Sequence, residues 1–509
     1  MTTENRHRQQ HPDRRPGPRP LPLHLTAAAM FSTSCLSAWP HLKNGSMPWT
    51  QDLAAAGSAL QKELENVNPD AFAAALGDEL ARRHDRFLTG LETYRSHPFR
   101  RDLPAPPALW EAGPTRLLDY GATSAAGGAG RPVLVVPSLV NRSYILDLAK
   151  DRSFLRFLSS QGLRPLLIDW GTPGRAELAR SLDDYISGDM ASALDLAVDM
   201  AQGKPVPVIG YCMGGTLAAA LAVLARDRIS AMILLAAPWD FHVGTDGPPA
   251  AVTAGRAGLE QLISLHGCLT VEALQSMFFA LDPLQGWTKF QAFAEIAADS
   301  PAAENFVALE DWLNDGVPLA ADVARECLFG WYGDNSPAKG TWKVSGQTID
   351  PARIACPTLG VTPAQDRIVP PASAQALIDA IPGAASLAPQ AGHIGMVVGS
   401  QNPALEAPGR LASRRLGAEN GFHPPYRHPT PKPICCSAAF LVEALSGRAY
   451  IRVTEQLPQG RNPRSSAGNQ PQNGGFPDDR SRNCKCRADA CWRIQRRPEH
   501  RVRLGPRQG

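Results

Sequence analysis

The sequence predicts an α/β protein built on a mostly parallel, buried sheet with helices on both faces. Three observations carry that expectation. Short, continuous apolar runs recur at 131–136 (RPVLVV), 163–170 (LRPLLIDW), 206–210 (VPVIG), 231–237 (AMILLAA) and 358–361 (TLGV). Strands covered on both faces read as unbroken apolar segments of this kind. Helical stretches such as 182–200 and 215–225 lie between them, the alternation that βαβ units produce. Finally, the run at 206–210 passes straight into a glycine-flanked cysteine and then a small-residue helix, GYCMGGTLAAALAVLA.

The remaining elements follow in chain order. Residues 1–20 are rich in Pro and Arg and are expected to be a disordered basic leader. The segment 21–38 loosely imitates a signal peptide, but His24 and several Ser/Thr interrupt it, and it reads better as an amphipathic helix. Residues 21–115 are expected to be a helical N-terminal region, with apolar spacing that supports helices over 54–76 and 71–94. The sheet domain spans 116–400. Its insert 241–343 carries Trp287, Trp312, Trp331 and Trp342 between two strands, where a cap over the sheet's C-terminal edge belongs.

Composition bounds the function. Of 509 residues, 44% are hydrophobic, enough for a large core and too many for wholesale disorder. The net charge of +3 makes no case for a nucleic-acid binder. That small sum hides 19 Lys/Arg against 8 Asp/Glu beyond residue 400, so the body is mildly acidic and the tail strongly basic. Residues 401–509 are also rich in Pro, Gly, Asn and Gln, a low-order tail that resembles a translated wrong reading frame, with a genuine basic tail for polyanions or anionic surfaces as the rival reading. Cys35, Cys212, Cys268, Cys327 and Cys356 are scattered as reduced thiols are, not as a disulfide framework. Cys484, Cys486, Cys491 and His500 lack zinc spacing, so no metal is expected. No apolar run reaches the ~18 residues of a spanning helix.

The chemistry is concentrated at 210–214. Gly-Tyr-Cys-Met-Gly between a strand and a helix has the form of a nucleophile elbow with Cys212 in the nucleophile's place. The helix N-terminus favours its thiolate, and the Met213 N–H points where an oxyanion forms. A thioester on cysteine is nearly isoenergetic with one on coenzyme A, so this residue favours acyl transfer over ester hydrolysis. An acid and then a histidine should follow in the chain. His393, in the glycine-flanked turn of QAGHIGMVV, is the candidate base, and Asp366, in the loop after 358–361, the first candidate acid. Asp240, after an earlier strand, is its rival, and Asp169 reads as structural. The loop after 131–136 should supply a second oxyanion N–H, from Val140 or Asn141.

Together PSLVNRSYILDL, LLIDWGTPG, GYCMGGT, the Asp366 loop and GHIGMVVG resemble the catalytic subunit of the poly(3-hydroxyalkanoate) synthases, over roughly residues 20–400. The resemblance implies an α/β-hydrolase fold and a cytoplasmic, granule-associated acyltransferase. It implies polymerisation of (R)-3-hydroxyacyl-CoA, most often 3-hydroxybutyryl-CoA, with release of CoA and no cofactor. Cys212 would hold the acyl group or growing chain, His393 would deprotonate it, and Asp366 would orient His393 or help activate the 3-hydroxyl. The implied partners are the polyester chain, the granule surface and a second copy of the chain, with no nucleic acid and no transmembrane segment. An intracellular polyester depolymerase or a thioesterase on the same scaffold is the alternative. A sheet-covering helix is expected after residue 400, where SQNPALEAPGRLASRRLG makes a poor one.

Overall fold

In the computed structural model, residues 14–123, 130–245 and 247–398 are described. All of them belong to the first of two units, Met1–Leu457. The tail at 401–509, its cysteines and the expected covering helix lie outside the described residues.

Three helices come first: α1 (Leu21–Asn44), α2 (Ala54–Leu64) and α3 (Pro69–Ser96). The single helix expected over 54–76 is broken in two. Pro69 sits at the first helical position of α3, and the Asn68 side chain accepts from the N–H groups of Asp70 and Ala71. A proline and a cap of this kind start a helix rather than continue one.

The sheet has eight strands: β1 (Ala108–Ala112), β2 (Thr115–Asp119), β3 (Arg131–Val136), β4 (Leu163–Asp169), β5 (Val206–Tyr211), β6 (Ile229–Leu235), β7 (Thr358–Val361) and β8 (Ala385–Leu387). Their spatial order is β1-β2-β4-β3-β5-β6-β7-β8. The β1–β2 and β2–β4 pairs are antiparallel and every later pair is parallel. The sheet therefore opens at Ala108 and not at 116. Ala112 faces Thr115 across a two-residue turn whose first member, Gly113, has φ 57°. A positive φ there matches the twist of a hairpin.

Side chains alternate between the two faces of each strand. Leu134, Val136, Leu166, Ile168 and Val208 belong to one core, and Val133, Val135, Leu167, Ile209 and Ile233 to another. Behind β3, α4 (Phe154–Ser160) covers the second core. The first core is covered by α5 (Ala191–Met200) and α6 (Met213–Leu224). Every residue of α6 from Met213 to Val223 is buried.

The insert between β6 and β7 is helical: α7 (Ala250–His266), α8 (Val271–Leu281), α9 (Gln285–Ala294), α10 (Pro301–Asn314) and α11 (Ala321–Arg325), then a π-helical turn over Glu326–Gly333. A third core joins this insert to the N-terminal helices, with Phe87, Leu91 and Tyr94 of α3 against Trp287, Phe290 and Phe293 of α9 and Val307 of α10. The described residues close with α12 (Pro371–Ala380) and α13 (Gly395–Val398).

The leader departs from expectation. Residues 14–20 are placed against the fold, and Arg15 is only 8% exposed. Its guanidinium donates to the carbonyls of His97 and Phe99 and pairs with Asp311 of α10. Composition marks a Pro/Arg segment as solvated, but a planar fork that finds carbonyls and a carboxylate can be buried. Residues 1–13 lie outside the described residues.

Candidate active site

The site stands at the C-terminal edge of the parallel strands. β5 ends at Tyr211 and α6 begins at Met213, so Cys212 makes the whole turn, with φ 55° and ψ −130°. A non-glycine residue held there stores on the order of 1–3 kcal/mol. The turn is fixed on both sides. The Cys212 N–H donates to Leu235 O at 2.8 Å, and its carbonyl accepts from the Gly215 N–H at 2.8 Å. A Cβ on Gly210 would lie 2.5 Å from Gly215 Cα, so only glycine lets the strand and helix come this close. A Cβ on Gly214 would strike the Val136 and Pro137 carbonyls, which places the loop after β3 against the start of α6. As the first residue of α6, Met213 has no helical acceptor for its N–H.

Asp366 follows β7 and His393 follows β8, and the fold brings them together. His393 Nδ1–H donates to Asp366 Oδ2 at 2.7 Å, and both residues are buried. The other oxygen, Oδ1, accepts from the N–H groups of Ile368 and Val369, both at 2.9 Å. Asp366 therefore shapes its own turn with one oxygen and aims the imidazole with the other. From β5, the Tyr211 hydroxyl donates to the His393 carbonyl at 3.3 Å and its ring lies 5.3 Å from the imidazole.

The electrostatics match this geometry. Burial pulls the His393 pKa down, but the charge of Cys212 and the hydrogen bond to Asp366 outweigh it, and the result is about 10. His393 therefore holds its proton well above neutral pH. The Tyr211 hydroxyl is pushed well above its ordinary range by burial and by Cys212 and Asp366, so it stays a neutral donor. Burial also raises the thiols of Cys268, Cys327 and Cys356.

The remaining sequence candidates divide. The Val140 N–H is engaged by Ser138 Oγ at 3.0 Å. In this structure the Val140 N–H is thus shared with its own loop. Asn141 remains, with φ 64° and its side chain 3.5 Å from Gln275 Nε2 of α8. Asp240 does not reach His393; its Oδ1 accepts from Asn335 Nδ2 at 2.8 Å and from the His242 N–H at 3.0 Å. Asp169 accepts from Ser143 Oγ and pairs with Arg116.

Two residues near the site carried no signal in the sequence. Tyr332 lies in the last part of the cap's π-helical turn, which ends at Gly333, and its ring packs edge-on to Phe241 at 4.8 Å. Asn335 follows it and holds Asp240. Their partners are more than 90 residues away in the chain, beyond the reach of any local pattern. Among the described residues, no cluster of three or more His, Cys, Asp or Glu is arranged to hold a metal ion, and no helix is long and apolar enough to cross a membrane.

A strand-turn-helix elbow followed in the chain by an acid and a histidine on this strand order defines an α/β-hydrolase-type fold, here with Cys212 at the elbow. A family model described as alpha/beta hydrolase fold matches residues 131–256. The chain belongs to the family of poly(3-hydroxyalkanoate) polymerase subunit PhaC. It is 31% identical to that protein from Synechocystis sp. over 280 residues, 52% of this chain and 73% of the relative. It is 31% identical to the Thiocystis violacea protein over 271 residues, 52% of this chain and 76% of the relative. With the protein of that name from Haloferax mediterranei it shares 31% identity over 280 residues, 53% of this chain but only 56% of the relative.

Proposed function

We propose that this chain is an acyltransferase that polymerises (R)-3-hydroxyacyl-CoA, most often 3-hydroxybutyryl-CoA, into polyhydroxyalkanoate and releases CoA. The observation that carries the reading is a cysteine on a strained elbow beside a His393–Asp366 pair, in a chain whose relatives are named for this polymerisation.

His393 takes the proton of the Cys212 thiol, which gives a thiolate–imidazolium ion pair. The thiolate attacks the thioester carbonyl, and the Met213 N–H stabilises the oxyanion. The carbon–sulfur bond to CoA breaks, and the imidazolium protonates the departing sulfur. The 3-hydroxyl of a second acyl group then attacks the acyl-Cys212 carbonyl. Its proton passes to His393, an ester bond forms, and Cys212 leaves as thiolate, which restores the ion pair. Asp366 fixes the imidazole through Nδ1 and leaves Nε2 for the proton transfers. The reading extends to a cytoplasmic, granule-associated homodimer that needs no cofactor beyond its CoA thioester substrate.

The test is CoA release by the purified chain from (R)-3-hydroxybutyryl-CoA, with recovery of chloroform-soluble polymer. Polymer that disappears in Cys212→Ala supports the proposal. CoA release with free acid alone makes the protein a hydrolase, and release that survives Cys212→Ala removes the acyl-enzyme.

A further inference from the structure

Tyr211, the last residue of β5, reaches His393 from the strand that leads into Cys212, and the chemistry above gives it no part. It is 3% exposed, and its hydroxyl donates to the His393 carbonyl at 3.3 Å. That carbonyl has no other donor among the described residues. The carbonyls on either side are taken up by the chain itself: Gly392 O accepts from the Met396 N–H at 3.0 Å, and Ile394 O from the N–H groups of Val397 and Val398 at 3.1 Å. The phenol therefore completes the turn that carries His393. At the leading end of the same turn the Gln365 N–H donates to Ala391 O at 3.0 Å, so the loop that supplies Asp366 holds the other side. The imidazole is thus set at a fixed place beside the Tyr211 ring.

The two ring centroids lie 5.3 Å apart with the planes 32° from parallel. At that separation and tilt the rings form an offset stack, with the electron-rich face of the phenol toward the imidazole. Such a face attracts a cation, and more strongly where water is excluded. Both residues are buried. Among the described residues, the groups that face the imidazole are Asp366 from the loop after β7, Cys212 from the elbow and Tyr211 from β5. Burial opposes a charge on His393, and Cys212 and Asp366 favour it. The Tyr211 hydroxyl is held well above its ordinary range, by burial first and then by Cys212 and Asp366, so the ring acts as a neutral phenol. We propose that Tyr211 is a positioning residue for the proton transfer, and that its ring face stabilises the imidazolium formed when His393 takes the proton of the Cys212 thiol. In that step the S–H bond breaks, an N–H bond forms at Nε2, and the electron pair stays on sulfur. The proposal rests on the reading of Cys212 and His393 as nucleophile and base.

The test is alkylation of Cys212 by iodoacetamide in the full chain over a pH series, quantified on the peptide that carries Cys212, because the thiolate is the reacting form. Wild type should label with a midpoint below the ~8.5 of a free cysteine. Tyr211→Leu removes the ring face and should raise that midpoint by about one pH unit, which slows labelling at pH 7 about tenfold. Tyr211→Phe keeps the face and should return the midpoint to wild type. Tyr211→pentafluorophenylalanine keeps the shape of Phe but reverses the charge of the face, so it should label as Tyr211→Leu does. In a His393→Gln background there is no imidazolium to stabilise, and adding Tyr211→Leu should leave the midpoint where it was. Equal midpoints in the Phe and pentafluorophenylalanine proteins overturn the role of the ring face, even where Tyr211→Leu fails to fold. A shift that persists without His393 assigns the effect to the thiol and overturns the proposal as well. A wild-type midpoint near that of a free cysteine, unmoved by His393→Gln, sinks the reading of His393 as the base, and the proposal with it.

Discussion

Cys212 combines two demands that usually conflict. The elbow needs a positive φ, which costs any residue with a Cβ, and the chemistry needs a side chain exactly there. Neighbouring glycines and two backbone hydrogen bonds to the turn meet that cost. Asp366 is equally economical, with one oxygen for its loop and one for His393. Asp366→Asn should lower acyl transfer by on the order of 10²–10⁴-fold, because the amide no longer fixes the imidazole tautomer. It should also move the pH profile. His393 is held near 10 by Cys212 and Asp366 against burial. Loss of its proton sets the alkaline limb of the acylation rate, so that limb should lie near pH 10 in wild type. Removing the Asp366 charge lowers the proton affinity and shifts the limb toward neutral. An alkaline limb that stays put in a stopped-flow pH series would show that Asp366 does not act on the imidazole charge. These three residues were legible in the sequence because each depends on its own few neighbours: GYCMGG, a loop aspartate after a strand, a histidine between glycines. Nothing in VPSLVNR reveals that the Ser138 hydroxyl turns back onto the Val140 N–H.

At the scale of elements, local rules succeeded wherever a run was long and unbroken and failed at its ends. The parallel strands β3 to β7 were readable as apolar runs, but the three-residue, half-exposed β8 was not, and neither was β1. Its exposed and half-buried residues, ALWEA, carry no pattern that a helical region would lack. The docking of α1 was hidden for a different reason. His24 reads as an interruption of an apolar stretch, yet its ring packs edge-on against Phe279 of α8 at 5.0 Å, with Gly286 of α9 leaving the room. Its Nδ1 is buried without a partner. Burial first, then the charge of Lys289, lower its pKa from 6.5 to about 4, against a bond to Arg19 O that raises it. The sign follows directly. Between pH 6.5 and 4 the unfolded chain binds a proton at this position and the folded chain does not, so the stability of docking is full above 6.5 and falls as pH drops toward 4. His24→Phe should remove this part of the acid sensitivity and keep the ring contact. Calorimetry at pH 7 and pH 5 on both proteins checks it: the fall in Tm should be smaller in the variant, and parallel falls would assign the acid sensitivity to other groups.

At the scale of the molecule, the strand order places both active-site loops, and the chain's first described residues hold the cap in place. Sequence composition could not show the second point, because Arg15 meets His97 and Phe99 across more than 80 residues and Asp311 across 296. The guanidinium gathers the carbonyls of His97 and Phe99 and the carboxylate of Asp311, while the Tyr94 hydroxyl donates to the same Asp311 at 3.0 Å. This one side chain therefore links the leading arm, the end of α3 and α10 of the cap. Arg15→Ala leaves two carbonyls and a half-buried carboxylate short of donors, a loss of roughly 2–4 kcal/mol. Arg15→Lys keeps the charge but not the planar fork, and one ammonium cannot span three acceptors set for a guanidinium. Urea unfolding should rank the proteins wild type, then Arg15→Lys, then Arg15→Ala, with the midpoint falling at each step and the slope unchanged. Acylation of Cys212 well below the transition should be unaffected in both variants, since no hydrogen bond of this network reaches Cys212, Asp366 or His393. If Arg15→Lys unfolds with wild type, charge alone suffices and the fork is dispensable. If Arg15→Ala does so as well, the leading arm contributes nothing to the stability of the cap.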